Sequence, residues 1–316
     1  MKRQLLYYFI FLSVSFCVCE ENQRTEYGSH DNHFEEYQDG VINHTITGPL
    51  AYRVLMPYTI QAIGNVLTSV SLKEVDFILN ILLMFLTLIV FFTYMKNFLS
   101  DAAAIAGCLW LALVIMMGFA SFMGVHVYET SDLCNLLFMS LALNLAYRKN
   151  WFWLIVILMI GMTNRETPAF LLIPIFLTWR KEKFPVVYLF ACFASVVIPY
   201  LMLRMIIHPP HPDWFLTVFM NENIPFYETG KLRIVLSGYL EFFLFIGPTV
   251  LPALINFKNK NVFLKMASLT VLIFIPVHIV VGHVEEYRMW MPLFLFLIPL
   301  SMETIDQKMQ QLKIHP

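Results

Sequence analysis

Apolar runs close to the length that crosses a bilayer recur along this chain, and they restrict its backbone more than any other feature. A spanning helix needs about 20 apolar residues, within a range of about 17 to 25, because lipid offers no partner to a free N–H or C=O. Asp76 to Met95, Ala102 to Met123, Phe184 to Leu203, Ile234 to Phe257 and Val262 to Gly282 meet that length, and Ser131 to Tyr147 comes close. Leu5 to Cys19, behind Lys2 and Arg3, reads as a first helix or a signal anchor. No small-x-small cleavage site follows it, and Phe16 before Cys17 spoils a lipoprotein site, which favours a retained helix.

Three further runs are short. Trp151 to Met162 and Pro168 to Trp179 would each cover about 18 Å of a roughly 30 Å core. Together they predict a helix hairpin whose apex, Thr163-Asn164-Arg165-Glu166-Thr167, stops below the outer surface. Met289 to Met302 is short as well and carries Pro292 and Pro299. Interrupted helices belong where a water-filled cavity enters the membrane. The expected fold is therefore all-α and polytopic, with about 10 transmembrane helices including the hairpin.

Composition agrees. The chain is 59% hydrophobic and 14% charged, with a mean hydropathy of +0.67; soluble domains carry about 25% charged residues. A net charge of −1 excludes a nucleic-acid partner, which needs a basic surface. The five cysteines form no disulfide framework: Cys108, Cys134 and Cys192 lie inside apolar runs, and Cys17 and Cys19 are too close to staple anything. They read as small buried hydrophobes.

Basic residues set the orientation. With ten segments and both ends inside, Lys2, Arg3, Lys96, Arg148, Lys149, Arg180, Lys181, Lys183, Lys258, Lys260, Lys265, Lys308 and Lys313 are cytoplasmic, whereas most Asp and Glu lie outside or within the membrane. A single membrane domain follows: residues 1–19 the first helix, 20–73 an outer loop, 74–302 the bundle, and 303–316 a cytoplasmic tail. Within the outer loop, Val54 to Val70 has apolar residues at helical spacing with Gln61, Asn65 and Ser69 on another side, and reads as an interfacial helix. Other outer segments are Gly124 to Thr130, Arg204 to Arg233 and His283 to Arg288, so the chemistry faces out.

Three motifs at that face carry a resemblance: Tyr52-Arg53-Val54-Leu55-Met56-Pro57 behind an acidic loop, Asn164-Arg165-Glu166-Thr167 before an apolar run, and Glu286-Tyr287-Arg288 before the last helix. In order and topology the chain resembles the polytopic GT-C glycosyltransferases, which move a sugar from a polyprenyl-phosphate carrier to an acceptor outside the membrane. Where small bacterial members have an Asp closely followed by Tyr, this chain has Phe34-Glu35-Glu36-Tyr37-Gln38-Asp39. The resemblance implies a membrane hexosyl- or pentosyltransferase acting on a glycan, lipid or protein acceptor. It would lie in the cell membrane of a bacterium or the endoplasmic reticulum of a eukaryote, with its active site on the outer or lumenal face.

Inverting transfer needs a carboxylate to take the acceptor proton and cations to neutralise the leaving phosphate. Glu36 and Asp39 are the expected bases, with Glu35 and Asp31 behind them; Arg53 and Arg288, each in a Tyr-Arg-x-x-Met-Pro segment, are the expected phosphate ligands. The same Tyr-Arg pairs also serve as interface anchors. Arg165 and Glu166 lie deep, where a charge costs about 2.5 to 3.5 kcal/mol, so they bind substrate or form a mutual ion pair locking the hairpin. Glu241 should face a cavity or another helix, and Glu129 and Asp132 read as solvated helix-end acids or as ligands to acceptor or metal.

No cofactor is expected: there is no phosphate-cradling glycine loop, and the prolines of His208-Pro209-Pro210-His211-Pro212-Asp213 keep its metal-ligand types off any common helical face. Asn43-His44-Thr45 fits a glycosylation acceptor. The competing reading is a transporter, flippase or polymerase-like handler of lipid-linked sugars, but that predicts paired halves with similar interruptions, and one short hairpin is visible. A scaffold leaves Arg165 and Glu166 unexplained.

Overall fold

The computed structural model describes residues 2–28, 33–47, 50–119, 129–209, 232–281 and 287–314. Among them are thirteen α-helices, three short 3-10 turns and no strand. Within the described residues, each of the ten apolar runs is mostly helical. Six helical segments are long and apolar enough to cross a membrane: Arg3–Glu21, Leu72–Met95, Asp101–Phe119, Val186–Ile206, Val262–Val280 and Tyr287–Leu312. The chain divides into two compact units, residues 1–91 with 124–213 and residues 92–123 with 214–316.

The first unit holds α1 (Lys2–Gly28), α2 (His33–Ile42), α3 (Leu55–Val66), most of α4 (Leu72–Met95), α6 (Glu129–Tyr147), α7 (Trp151–Asn164), α8 (Leu172–Glu182) and α9 (Val186–Ile206). α7 packs between α6 and α9. At one end of this bundle, Lys149 after α6 pairs with Glu182 at the end of α8 (2.8 Å), and Trp151 stacks on Phe184. Lys149 and Lys183 both close their helices at positive φ, leaving the chain free to turn back at once. At the opposite end, Asn164 donates to the Ser131 carbonyl (2.7 Å), and Arg204 at the end of α9 meets Glu166 (3.2 Å). Gly161 permits this closure: a Cβ there would lie 3.2 Å from the Pro168 ring and 3.5 Å from Phe138 Cβ.

The second unit holds α5 (Asp101–Phe119), α10 (Leu232–Leu254), α11 (Val262–Ser268), α12 (Val271–Val281) and α13 (Tyr287–Ile314). α13 is its axis, with Trp290 and nearly every residue from Met291 to Met302 buried. α5 runs antiparallel to it, from Ser100 on Asp306 (2.6 Å) to Gly118, whose absent Cβ leaves room for Met291 Sδ at 3.0 Å. α10 runs parallel, from Glu241 on the Tyr287 hydroxyl (2.7 Å) to Thr304 on the Pro252 carbonyl (2.9 Å).

Several boundaries differ from the sequence expectation. The last run is not short: α13 has 28 residues, and residues 303–314 of the expected tail continue it. Met, Glu, Gln, Lys and Leu there are good helix formers, and buried Ser301, Thr304 and Asp306 anchor the extension. α1 continues through Glu20 to Gly28, and residues 33–42, expected as loop, form α2. Pro168 makes the second arm of the hairpin begin as a 3-10 turn, Thr167–Leu171, before α8. The run from Val262 breaks into α11 and α12 at Leu269 and Thr270.

Lys260 ties the second unit together. Only 3% exposed, its Nζ donates to Thr304 Oγ1 (2.6 Å), to the Pro252 carbonyl (3.1 Å) and to the Leu300 carbonyl. It thereby satisfies a carbonyl that the end of α10 leaves without an intrahelical partner. Desolvation pushes its amine down from 10.5 to about 8, opposed by the nearby Glu303 carboxylate. Between about pH 8 and 10.5 the folded chain holds one proton fewer here than the unfolded chain, so raising the pH favours the fold. We expect the thermal midpoint in detergent to gain a rising contribution across that window, up to about 1.4 kcal/mol per pH unit. Lys260→Met should remove it, visible as the difference between the two pH profiles.

Candidate functional site

The polar residues of the first unit gather where the hairpin apex lies. α7 ends at Asn164 because Arg165 turns extended, and the Arg165 N–H still bonds the Gly161 carbonyl (3.0 Å). This reversal sends the Arg165 side chain onto Asp132, in the first turn of α6. Both are buried, with 8% and 1% of the side chain exposed, and they form an ion pair. Arg165 and Glu166 therefore do not pair with each other, because the extended backbone at Arg165 points successive side chains to opposite sides. Nor is Asp132 a solvated helix-end acid.

Glu166 meets Arg204 instead (3.2 Å), both partly buried. The Arg204 guanidinium lies over the ring of Tyr200 (3.6 Å to the centroid) and that of Tyr52 (4.3 Å). Two aromatic faces and one carboxylate thus hold a planar cation whose five donors are not exhausted by one ion pair. Leu203 and Ile206 of α9, on either side of Arg204, and Ile207 just beyond the helix wall an open groove of about 950 Å³. Leu55, Tyr58, Ala62 and Val66 of α3 form its other wall at helical spacing, and Thr163 and His44 add polar edges. The rest of the lining is almost wholly apolar.

α3 presents a second face to the core: Ile60 packs with Phe34 of α2 and Val75 of α4. α2 is fixed to α3 by Gln38, whose Nε2 donates to the Pro57 carbonyl (2.7 Å), and to α4 by Glu35 on Lys73 (3.2 Å). Glu36 and Asp39 occupy the exposed side of α2, three residues apart and hence neighbours on one helical face. They stand on a helix, not in a loop. Arg53 is buried at 9% exposure, beside Tyr52, which packs with Ala51 and Ile207. Arg288 belongs to the second unit, where its neighbour Tyr287 stacks on Phe245 (4.8 Å) and bonds Glu241, which is exposed.

Asp31, Gly48, Pro49, His211, Asp213 and Glu286 lie outside the described residues, as does the side chain of Glu129. Among the described residues no three His, Cys, Asp or Glu side chains gather as a metal site. Cys19, Cys108, Cys134 and Cys192 are buried, while Cys17 is exposed.

Sequence reading missed Arg204, Asp76 and Asn80. An arginine closing an apolar run reads as an interface anchor, and an aspartate opening one reads as a helix-end acid. The spacing of Asp76 and Asn80, four apart on an otherwise apolar helix, was the available signal: Asn80 Nδ2 donates to Asp76 (3.1 Å), and Thr130 donates to it as well.

The buried pair generates a stability prediction. Asp132→Asn leaves the Arg165 charge uncompensated and should cost about 3–5 kcal/mol, whereas Asp132→Leu with Arg165→Met should recover most of that loss. Thermal unfolding of the parent and the two variants in detergent reads both outcomes. Compared with known proteins, the chain matches no family model, no curated protein and no solved structure.

Proposed function

We propose that the chain is a multi-pass membrane glycosyltransferase that moves a sugar from a polyprenyl-phosphate donor to an acceptor hydroxyl at the outer or lumenal face. The observation that carries this reading is the apolar groove of about 950 Å³ beside Arg204. A long hydrocarbon chain fits such a groove, and a phosphate at its polar end would take the guanidinium donors that Glu166 leaves over.

The ten-segment topology belongs to this proposal. Its support is that the basic turns assigned to the cytoplasm fall at one end of their own unit, Lys149 with Glu182 in the first and Lys96, Asp101, Lys260 and Glu303 around Ser100 and Asn261 in the second. The hairpin apex, α2 and the groove lie at the other end of the first unit, which this topology turns outward. The first outer segment is then a platform of α2 and α3 after α1.

In the reaction, a carboxylate on α2, Glu36 or Asp39, removes the acceptor proton as the acceptor oxygen bonds to the anomeric carbon. The bond from that carbon to the phosphate oxygen breaks, and its electron pair stays on the polyprenyl phosphate. Arg204 and Arg53 neutralise the growing charge. Arg165 acts as a positioning residue: locked to Asp132, it fixes the turn that presents Glu166 to Arg204.

A photoreactive amino acid at Ala62 should cross-link a radiolabelled polyprenyl-phosphate sugar. Arg204→Ala should lower transfer tenfold or more, the loss of one charge-assisted contact of over about 1.4 kcal/mol. Glu36→Gln or Asp39→Asn should keep the cross-link yet lose about a hundredfold of the rate. Parental transfer in all three variants removes these residues from the mechanism, and absence of any cross-link removes the donor from the groove.

A further inference from the structure

The end of the first unit opposite the groove gathers more positive charge than its own residues balance. Two turns meet there, residues 148–150 between α6 and α7 and residues 180–185 at the end of α8 and before α9. The Lys149–Glu182 ion pair (2.8 Å) and the Trp151–Phe184 stack (4.0 Å between centroids) hold the turns side by side. Together they carry five cations, Arg148, Lys149, Arg180, Lys181 and Lys183, against one carboxylate, Glu182, all of them exposed. Lys149 takes Glu182, and Lys183 lies over the Trp179 ring at 5.3 Å. Among the described residues Arg148, Arg180 and Lys181 have no carboxylate partner. The C-terminal ends of α6 and α8 offer about half a negative charge each, which still leaves a surplus. In the second unit, by contrast, Lys96 pairs with Asp101, and Lys260 and Lys265 lie near Glu303. An apolar rim adjoins the surplus: Phe152 and Trp153 in the first turn of α7, and Val186 and Val187 in the first turn of α9, are exposed.

We propose that this end of the first unit binds an anionic phospholipid, with Arg148, Arg180 and Lys181 on its headgroup and its acyl chains along Phe152 and Val187. A layer of cations beside a layer of aromatic and aliphatic side chains matches the two levels of such a lipid, phosphate next to hydrocarbon. Arginine grips phosphate oxygens two at a time, and lysine adds a point charge. A zwitterionic lipid has the same phosphate, but its ammonium group repels the surplus cations, so the site selects on net charge. Each basic residue near an anionic headgroup is worth about fivefold in binding. The lipid bridges the two turns and so braces the arms of the hairpin, α7 and α8, at the end away from its apex. The assignment needs the chain to lie in a membrane and does not depend on glycosyl transfer.

Three of the chain's six tryptophans, Trp151, Trp153 and Trp179, stand at this end, so their fluorescence reports lipid contact. The full chain is reconstituted in vesicles of phosphatidylcholine and phosphatidylglycerol, with one lipid or the other brominated on its acyl chains, and quenching gives the relative binding constant. Phosphatidylglycerol should be favoured by about tenfold or more, and Arg148→Gln with Arg180→Gln and Lys181→Gln should bring the ratio within about twofold. Lys258→Gln with Lys265→Gln and Lys308→Gln removes the same charge from the second unit and should keep the preference. Raising the salt from about 0.1 M to about 1 M should weaken the preference in the unaltered chain, a reading that needs no variant to fold. Equal quenching by the two brominated lipids in the parent overturns the site, as does a preference that survives the first triple variant or falls equally in the second. Displacement of the brominated phosphatidylglycerol by millimolar inorganic phosphate also overturns it, because the turns would then hold a soluble anion and not a lipid.

Discussion

One buried ion pair, Arg165 with Asp132, is the constraint on which the first unit depends. Neither charge is affordable alone in apolar surroundings, so each fixes the other's helix: Asp132 opens α6 and Arg165 closes α7. The extended backbone that aims Arg165 at Asp132 also aims Glu166 the other way, toward α9. Arg204 then bridges to Tyr52, and through Tyr52 the segment leading into α3 is held. Groove, aromatic cage and platform all inherit their geometry from this one reversal.

α3 separates two environments. Its Leu55, Tyr58, Ala62 face borders a large apolar groove, and its Met56, Ile60 face borders a small pocket. The helix that separates them is held to α2 and α4 by Phe34, Val75 and the Gln38 bond.

Much of the helical architecture was legible because apolar length is a local property: within the described residues the apolar runs are mostly helical, and the hairpin apex falls at Asn164 to Thr167 as its polar residues require. The extent of α13 was hidden because Pro292 and Pro299 suggested interruption, whereas neighbours that bury a helix on all sides can tolerate proline. Partnership was the less legible part. Arg165 beside Glu166 suggested a local pair, yet both partners lie on other helices, and no periodicity encodes that choice. Nothing in the sequence singles out Gln38; the Pro57 carbonyl that orders its amide lies 19 residues away.

The order in which the two apex charges meet their partners bears on how the chain is made. Asn164 follows Ser131 by 33 residues, and Arg165 follows Asp132 by the same interval, so during synthesis Asp132 has already emerged when Arg165 appears. Glu166 precedes its own partner, Arg204, by 38 residues. The hairpin thus forms half neutralised, with a carboxylate waiting for α9. Docking of α9 is then the step that completes the apex, and a chain stalled before it would leave Glu166 without its Arg204 partner.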